Sequence, residues 1–140
     1  MLRRLAVLLL FAVSGPALAT DVIVYKSPTC GCCEGWTAHM RANGFHVITK
    51  NVYDVTPIKD ANGVPPELAS CHTATVDGYV IEGHVPASDI KRLLAERPKI
   101  RGLAAPGMPA GSPGMEGPYK DHYDVLTFDK NGRTTVFAQH

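Results

Sequence analysis

The sequence holds few cysteines and does not spread them out. There are four in 140 residues, and Cys30, Cys32 and Cys33 all fall in the stretch SPTCGCCEGW. A disulfide framework separates its cysteines to close loops, so this crowding argues against a purely structural role. A second Cys-x-x-Cys is absent, which argues against a closed zinc ribbon. There is no basic stripe: 14 Lys and Arg are balanced by 13 Asp and Glu, so nucleic acid is not an expected partner. No internal repeat is visible. Beyond the first residues no apolar run is long enough to span a membrane.

The chain opens MLRRLAVLLLFAVSGPALA. Arg3 and Arg4 make a basic start, Leu5 to Val13 is an apolar run, and Ala17-Leu18-Ala19 has the small-residue pattern of a cleavage site. These features predict a secretory signal peptide over residues 1–19 and an exported, periplasmic protein. Residues 20–140, about 120 in number, are then expected to form one domain. Losing Arg3 and Arg4 moves the formal charge from +1 to −1. An exported chain meets oxidising conditions, so its thiols are expected to face disulfide formation. Four cysteines allow three pairings, and the neighbours Cys32 and Cys33 pair only with strain.

Local patterns give the order of elements. DVIVYK reads as a short buried strand. EGWTAHMRANG reads as a helix with Trp36 and Met40 on its core face, stopped at Asn43-Gly44. FHVITKNVY reads as a second strand, so the cysteines sit at a strand-to-helix turn inside a βαβ unit. Thr56-Pro57 starts a helix that ends at Gly63. Asp77-Gly78 between β-prone residues reads as a two-residue hairpin turn. That turn pairs Val76 with Tyr79, Ala74 with Ile81, His72 with Gly83, and Cys71 with His84. It places Cys71 and His84 on one face and His72 on the other, with Ala74, Val76 and Ile81. PASDIKRLLAERP is an amphipathic helix burying Ile90, Leu93 and Leu94 and stopped by Pro98. Residues 102–118, GLAAPGMPAGSPGMEGP, are expected to be one irregular, functional or disordered Gly/Pro/Met loop. YDVLTF and RTTVFA flank DKNG as a last hairpin. His39, His46, His122 and His140 read as surface residues.

The cysteines admit two chemistries. Cys30 and Cys33 form a Cys-x-x-C between a strand and a helix, where the helix dipole favours thiolate, as in thioredoxin-like oxidoreductases. Cys32, inside that motif, would interfere with a simple exchanging pair. Such enzymes also place a cis-proline before the strand facing the cysteines; here Cys71-His72 precedes TATV instead. Read as ligands, Cys30, Cys32, Cys33 and Cys71 make a soft pocket that selects Cu(I) or zinc. His84 joins it from the hairpin, His72 is a further candidate ligand, and Met108 and Met115, in the near repeats PGMPAG and SPGMEG, offer thioethers that tilt the choice to copper.

YKSPTCGCCEGW, SCHTATVDGYVIEGHVPASDIKRLL and GLAAPGMPAGSPGME together resemble the CopG-like exported copper-resistance family, long catalogued as a domain of unknown function. The resemblance implies an α/β fold of thioredoxin-like type: βαβ, then a β-hairpin and helix, with a C-terminal hairpin appended. It implies Cu(I) bound outside the cytoplasm by Cys30, Cys32, Cys33 and Cys71 with help from His or Met, up to a multi-copper cluster. Copper ions, and other periplasmic copper-handling proteins, are the expected partners. The alternative is a periplasmic thiol–disulfide oxidoreductase without metal, with Cys30 and Cys33 as its catalytic pair.

Overall fold

The computed structural model describes residues 18–140. All but the last two residues of the expected signal peptide lie outside the described residues. β1 (Asp21–Lys26) buries Val22 and Val24 on one face. α1 (Gly31–Ala42) turns back over that face and buries Trp36, Thr37 and Met40, whose spacing puts them on one side of the helix. Gly44, at φ +89°, takes the left-handed conformation that lets the chain leave the helix for β2 (His46–Asn51). α2 (Thr56–Ala61) starts with Thr56 N–H bonded to Asp54 Oδ1 and Pro57 in its first turn.

The hairpin β3 (Thr73–Val76) and β4 (Tyr79–Gly83) turns at Asp77-Gly78, both at positive φ. Its register is the one read from the sequence, with Val76 opposite Tyr79 and Ala74 opposite Ile81. α3 (Ala87–Glu96) buries Ile90 and Leu93, with Leu94 packed partly against the same core. It ends at Arg97 in the left-handed conformation, one residue before Pro98. β5 (Gly102–Ala105), β6 (Asp124–Phe128) and β7 (Thr134–Gln139) complete a mixed α/β fold.

The strands form one seven-stranded sheet in the order β2-β1-β3-β4-β5-β6-β7. β1 pairs in parallel with β2, and β4 with β5; the other neighbours are antiparallel. The last hairpin therefore extends the central sheet through β5. One face carries the main core, where Val22, Val24, Ala74, Ile81 and Leu103 meet Trp36, Met40, Ile90 and Leu93. The opposite face carries a smaller cluster of Val64, Leu68, Val80, Ala104 and Phe128.

β5 corrects the expectation of a single irregular segment over 102–118. Residues 102–105 are a fully buried strand between β4 and β6. Small residues are needed there, since a Cβ on Gly102 would overlap the Val80 carbonyl oxygen. The irregular loop begins at Pro106.

Candidate metal centre

β1 ends at Lys26 and delivers the chain to the N-terminus of α1. The helix starts at Gly31, three residues before the expected Glu34, so Cys30 occupies the N-cap and Cys32 and Cys33 lie in the first turn. Cys30 and Cys33 are joined by a disulfide; Cys32 and Cys71 are free thiols. Lys26 is fully buried, its Nζ 2.6 Å from Glu34 Oε1 and 3.1 Å from the Ser27 carbonyl oxygen to which it donates. This contact straps the base of the cysteine loop. Nothing local in the sequence marks it, because a lysine ending a strand ordinarily reads as solvated.

The β3–β4 hairpin brings the second arm. Cys71 Sγ lies 3.5 Å from Cys33 Sγ and 3.8 Å from Cys32 Sγ, while Cys32 Sγ is 3.5 Å from Cys30 Sγ. All four sulfurs lie within 4.8 Å of one another. On its other side Cys71 Sγ is 3.0 Å from His84 Nε2 and 3.4 Å from His72 Nδ1. His72 packs on Trp36 with ring centroids 4.5 Å apart, on the face shared with Ala74 and Ile81. Its expected separation from Cys71 and His84 does not hold. The paired ladder stops at Thr73 and Glu82. Beyond it Gly83, at φ +73°, swings His84 to within 5.2 Å of the His72 ring. No cis peptide bond occurs among the described residues, and Cys71-His72 precedes β3.

Glu82 fastens this arm from beneath. Its carboxylate is fully buried and accepts from Ser70 N–H (2.8 Å), Thr73 Oγ1 (2.7 Å) and Lys59 Nζ. The segment carrying Cys71 and His72 is thus held at both ends. Burial raises the Glu82 carboxyl above its usual range, against the pull of Lys59. A polar residue in the otherwise apolar run YVIEG was the available signal for it.

The glycine-proline loop lies over the top. Ser70 Oγ donates to the Gly107 carbonyl, and His84 Nδ1 donates to the Pro113 carbonyl at 2.7 Å. Gly35 in α1 meets Gly114 so closely that a Cβ on Gly35 would stand 2.8 Å from Gly114 Cα. Gly114 itself has φ +88° and faces the Cys32 carbonyl. A glycine inside a helix signals such an approach. Met108 Sδ is 3.9 Å from Cys32 Sγ and the side chain is half exposed. Met115 is brought to the same loop but makes no such sulfur contact; its carbonyl accepts from Gly111 N–H at 2.8 Å. Among the histidines read as surface residues, His39 Nε2 accepts from Ala87 N–H at 3.0 Å, at the start of α3. His140 Nε2 lies 2.8 Å from Asp89 Oδ2, while His46 is exposed beside Asp21.

The electrostatics favour neutral donors until a cation arrives. Burial pushes the Cys71 thiol up to about 12, and the neighbouring Cys32 adds to the effect. Burial also lowers His72 well below the usual imidazole range, with His84 adding to it. His84 is lowered by burial, opposed by its bond to the Pro113 carbonyl. That bond puts the His84 proton on Nδ1 and turns the Nε2 lone pair toward Cys71. A ring so held is the usual arrangement of a ligating histidine.

A family profile described as "Protein of unknown function, DUF411" matches residues 68–115, which carry Cys71, His72, His84, Met108 and Met115. A search of curated proteins finds no match. Two solved structures, "Copper resistance protein copG- Form 2" and "Form 1", are each 43% identical to the chain and cover 88% of it. The chain covers 99% and 98% of them, with TM-scores of 0.84 and 0.83. This chain belongs to the CopG copper-resistance family. The cysteine cluster agrees with a copper-related function.

Proposed function

We propose that the protein is an exported copper-binding protein of copper tolerance, holding Cu(I) on its reduced cysteine cluster. The observation that carries this reading is the convergence of Cys30, Cys32, Cys33 and Cys71 within 4.8 Å, with the Met108 thioether beside Cys32. One ion bonded to sulfur at about 2.3 Å keeps its thiolates within roughly 4 Å of one another, and the Cys30–Cys32, Cys32–Cys71 and Cys33–Cys71 separations of 3.5, 3.8 and 3.5 Å meet that limit. The donor set is soft, and a thioether favours copper over zinc. Copper is the cargo, and bridging by thiolates lets the cluster hold more than one ion.

The cysteines give this binding a redox gate. With the Cys30–Cys33 disulfide closed, two of the four sulfurs are not thiolate donors. Opening it takes two electrons and two protons from a thiol reductant, and copper binding then releases thiol protons to solvent.

The disulfide also supports a second reading, a thiol–disulfide oxidoreductase of the same compartment that works without metal. Cu(I) titration of reduced protein against a chelator of known affinity, beside an insulin-reduction assay of metal-free protein, separates the two. Tight Cu(I) uptake with no insulin turnover is the expected result. Turnover by metal-free protein with no Cu(I) uptake overturns the copper reading.

A further inference from the structure

The sheet end opposite the cysteines is positively charged. Gly78 lies in the β3–β4 turn, and β4 runs five residues from there to Gly83, about 17 Å at the usual strand rise. Gly78 borders a hollow of about 450 Å³ that is lined by Lys99, Arg101 and Lys130. Lys99 and Arg101 come from the link between α3 and β5, and Lys130 from the β6–β7 turn. A second hollow of about 730 Å³ shares Lys99, Ile100 and Asp129 with the first, so there is room for more than a small ion. We propose that this hollow is a binding site for the phosphate group of an anionic ligand, separate from the metal centre.

The acids of this region are already committed. Asp77 pairs with Arg97, and Asp129 Oδ2 is 2.8 Å from Arg133 Nε. Asp129 Oδ1 accepts from the N–H groups of Asn131 and Arg133, at 2.8 and 3.0 Å. Each ion pair is neutral in itself and uses none of the three lining cations. Among the described residues Lys99, Arg101 and Lys130 have no carboxylate partner. The hollow therefore gathers three uncompensated positive charges.

Arg101 is the fixed member. Its N–H donates to the Phe128 carbonyl at 2.8 Å, and its carbonyl accepts from Val80 N–H at 3.0 Å. Its Nε donates to the Asn62 carbonyl at 2.8 Å, and its Nη2 donates to Asn62 Oδ1 at 3.3 Å. These partners are neutral, so they orient the guanidinium without offsetting its charge. Among the described residues Nη1 has no partner, which leaves it for a ligand oxygen. Lys99 and Lys130 are exposed, and each adds a mobile ammonium. A carboxylate offsets one of the three charges. A phosphate group carries more charge and presents acceptor oxygens in several directions, which suits a guanidinium with two ammoniums. A free phosphate compound and a lipid headgroup both offer that chemistry.

The test uses metal-free, disulfide-intact protein, followed by amide NMR during titration with pyrophosphate. Sodium acetate at equal ionic strength is the comparison. Pyrophosphate should shift Gly78, Lys99, Arg101 and Asn131 along saturable curves, while Cys32, Cys71 and His84 stay still and acetate moves none of them. Lys99→Gln and Lys130→Gln should each weaken binding about tenfold, the scale of one charge-assisted hydrogen bond. Lys50→Gln, on β2 at the other edge of the sheet, should leave it unchanged. Affinity should fall as salt rises, because the lysines are exposed. Flotation with phosphatidylcholine vesicles, with and without phosphatidylglycerol, distinguishes the sources. Pyrophosphate binding without flotation supports a free phosphate compound. Flotation on the anionic vesicles alone, lost in the Lys99→Gln, Lys130→Gln double variant, supports a headgroup. Equal shifts with acetate, shifts centred on the cysteines, full affinity in both lysine variants, or neither pyrophosphate binding nor flotation overturns the site.

Discussion

His84 joins the loop to the cysteines through one ring: Nδ1 donates to the Pro113 carbonyl at 2.7 Å, and Nε2 stands 3.0 Å from Cys71 Sγ. Loop position and donor geometry are therefore one variable. Replacing His84 by Gln removes a donor and a buried hydrogen bond together. Copper affinity of the reduced protein should fall by about 10–100-fold, the range seen when groups around a metal are lost. Hydrogen exchange at residues 112–115 should quicken at the same time. Unchanged exchange would show that the loop is held by its other contacts.

Gly35 offers a test of the loop that touches no donor. In an isolated helix Gly→Ala is stabilising by about 1 kcal/mol. Here the new methyl would stand 2.8 Å from Gly114 Cα, a backbone atom. Gly35→Ala should therefore be neutral or destabilising and should speed proteolysis between Pro106 and Pro118. A gain of the full helical increment with no change in proteolysis would mean that the loop gives way freely.

The two loop methionines should separate. Met108 Sδ is 3.9 Å from Cys32 Sγ, and Met115 makes no such sulfur contact. Met108→Leu should lower Cu(I) affinity several-fold, while leaving zinc binding nearly unchanged, since zinc seldom takes a thioether. Met115→Leu should leave both near the starting values. Chelator competition with each metal reads the difference; equal losses for both metals would assign the loop a purely structural part.

Much of this arrangement was legible in the sequence where one local rule decided it. Asp77-Gly78 set the hairpin register from Val76–Tyr79 to Thr73–Glu82, and Cys71 and His84 lie just beyond its end. Trp36 and Met40, and Ile90 and Leu93, announced their buried faces by period. The rest depended on contacts between distant segments. Nothing local marks Pro113 as the acceptor for His84, or Lys26 as the partner of Glu34. Gly102–Ala105 was hidden because four buried residues next to a proline-glycine loop share its composition; their burial comes from β4 and β6 on either side. His72 and His84 converge because Gly83 ends the alternation, and a period-2 reading carries on past that point.

Glu82 lies outside the donor set and acts through the chain it fastens. Removing one partner of a buried ion pair costs about 3–5 kcal/mol, and Glu82 is also the acceptor for Ser70 N–H and Thr73 Oγ1. Glu82→Ala should lower stability by that order in urea unfolding of disulfide-intact protein. Replacing Lys59 and Glu82 together by Met and Leu should recover most of the loss. A loss below about 1 kcal/mol for the single change, the scale of an exposed pair, would contradict the buried network.

The reduction potential of the Cys30–Cys33 couple, measured with and without Cu(I), tests most directly whether these cysteines are crowded in order to share copper. Copper on the dithiol form stabilises the reduced state, so the potential should rise, by about 30 mV for each tenfold preference for that form. Cys32→Ser removes one donor but leaves the disulfide able to form, and its rise should be smaller. A wild-type potential that Cu(I) leaves unmoved would place the metal and the redox pair in separate sites and contradict the account.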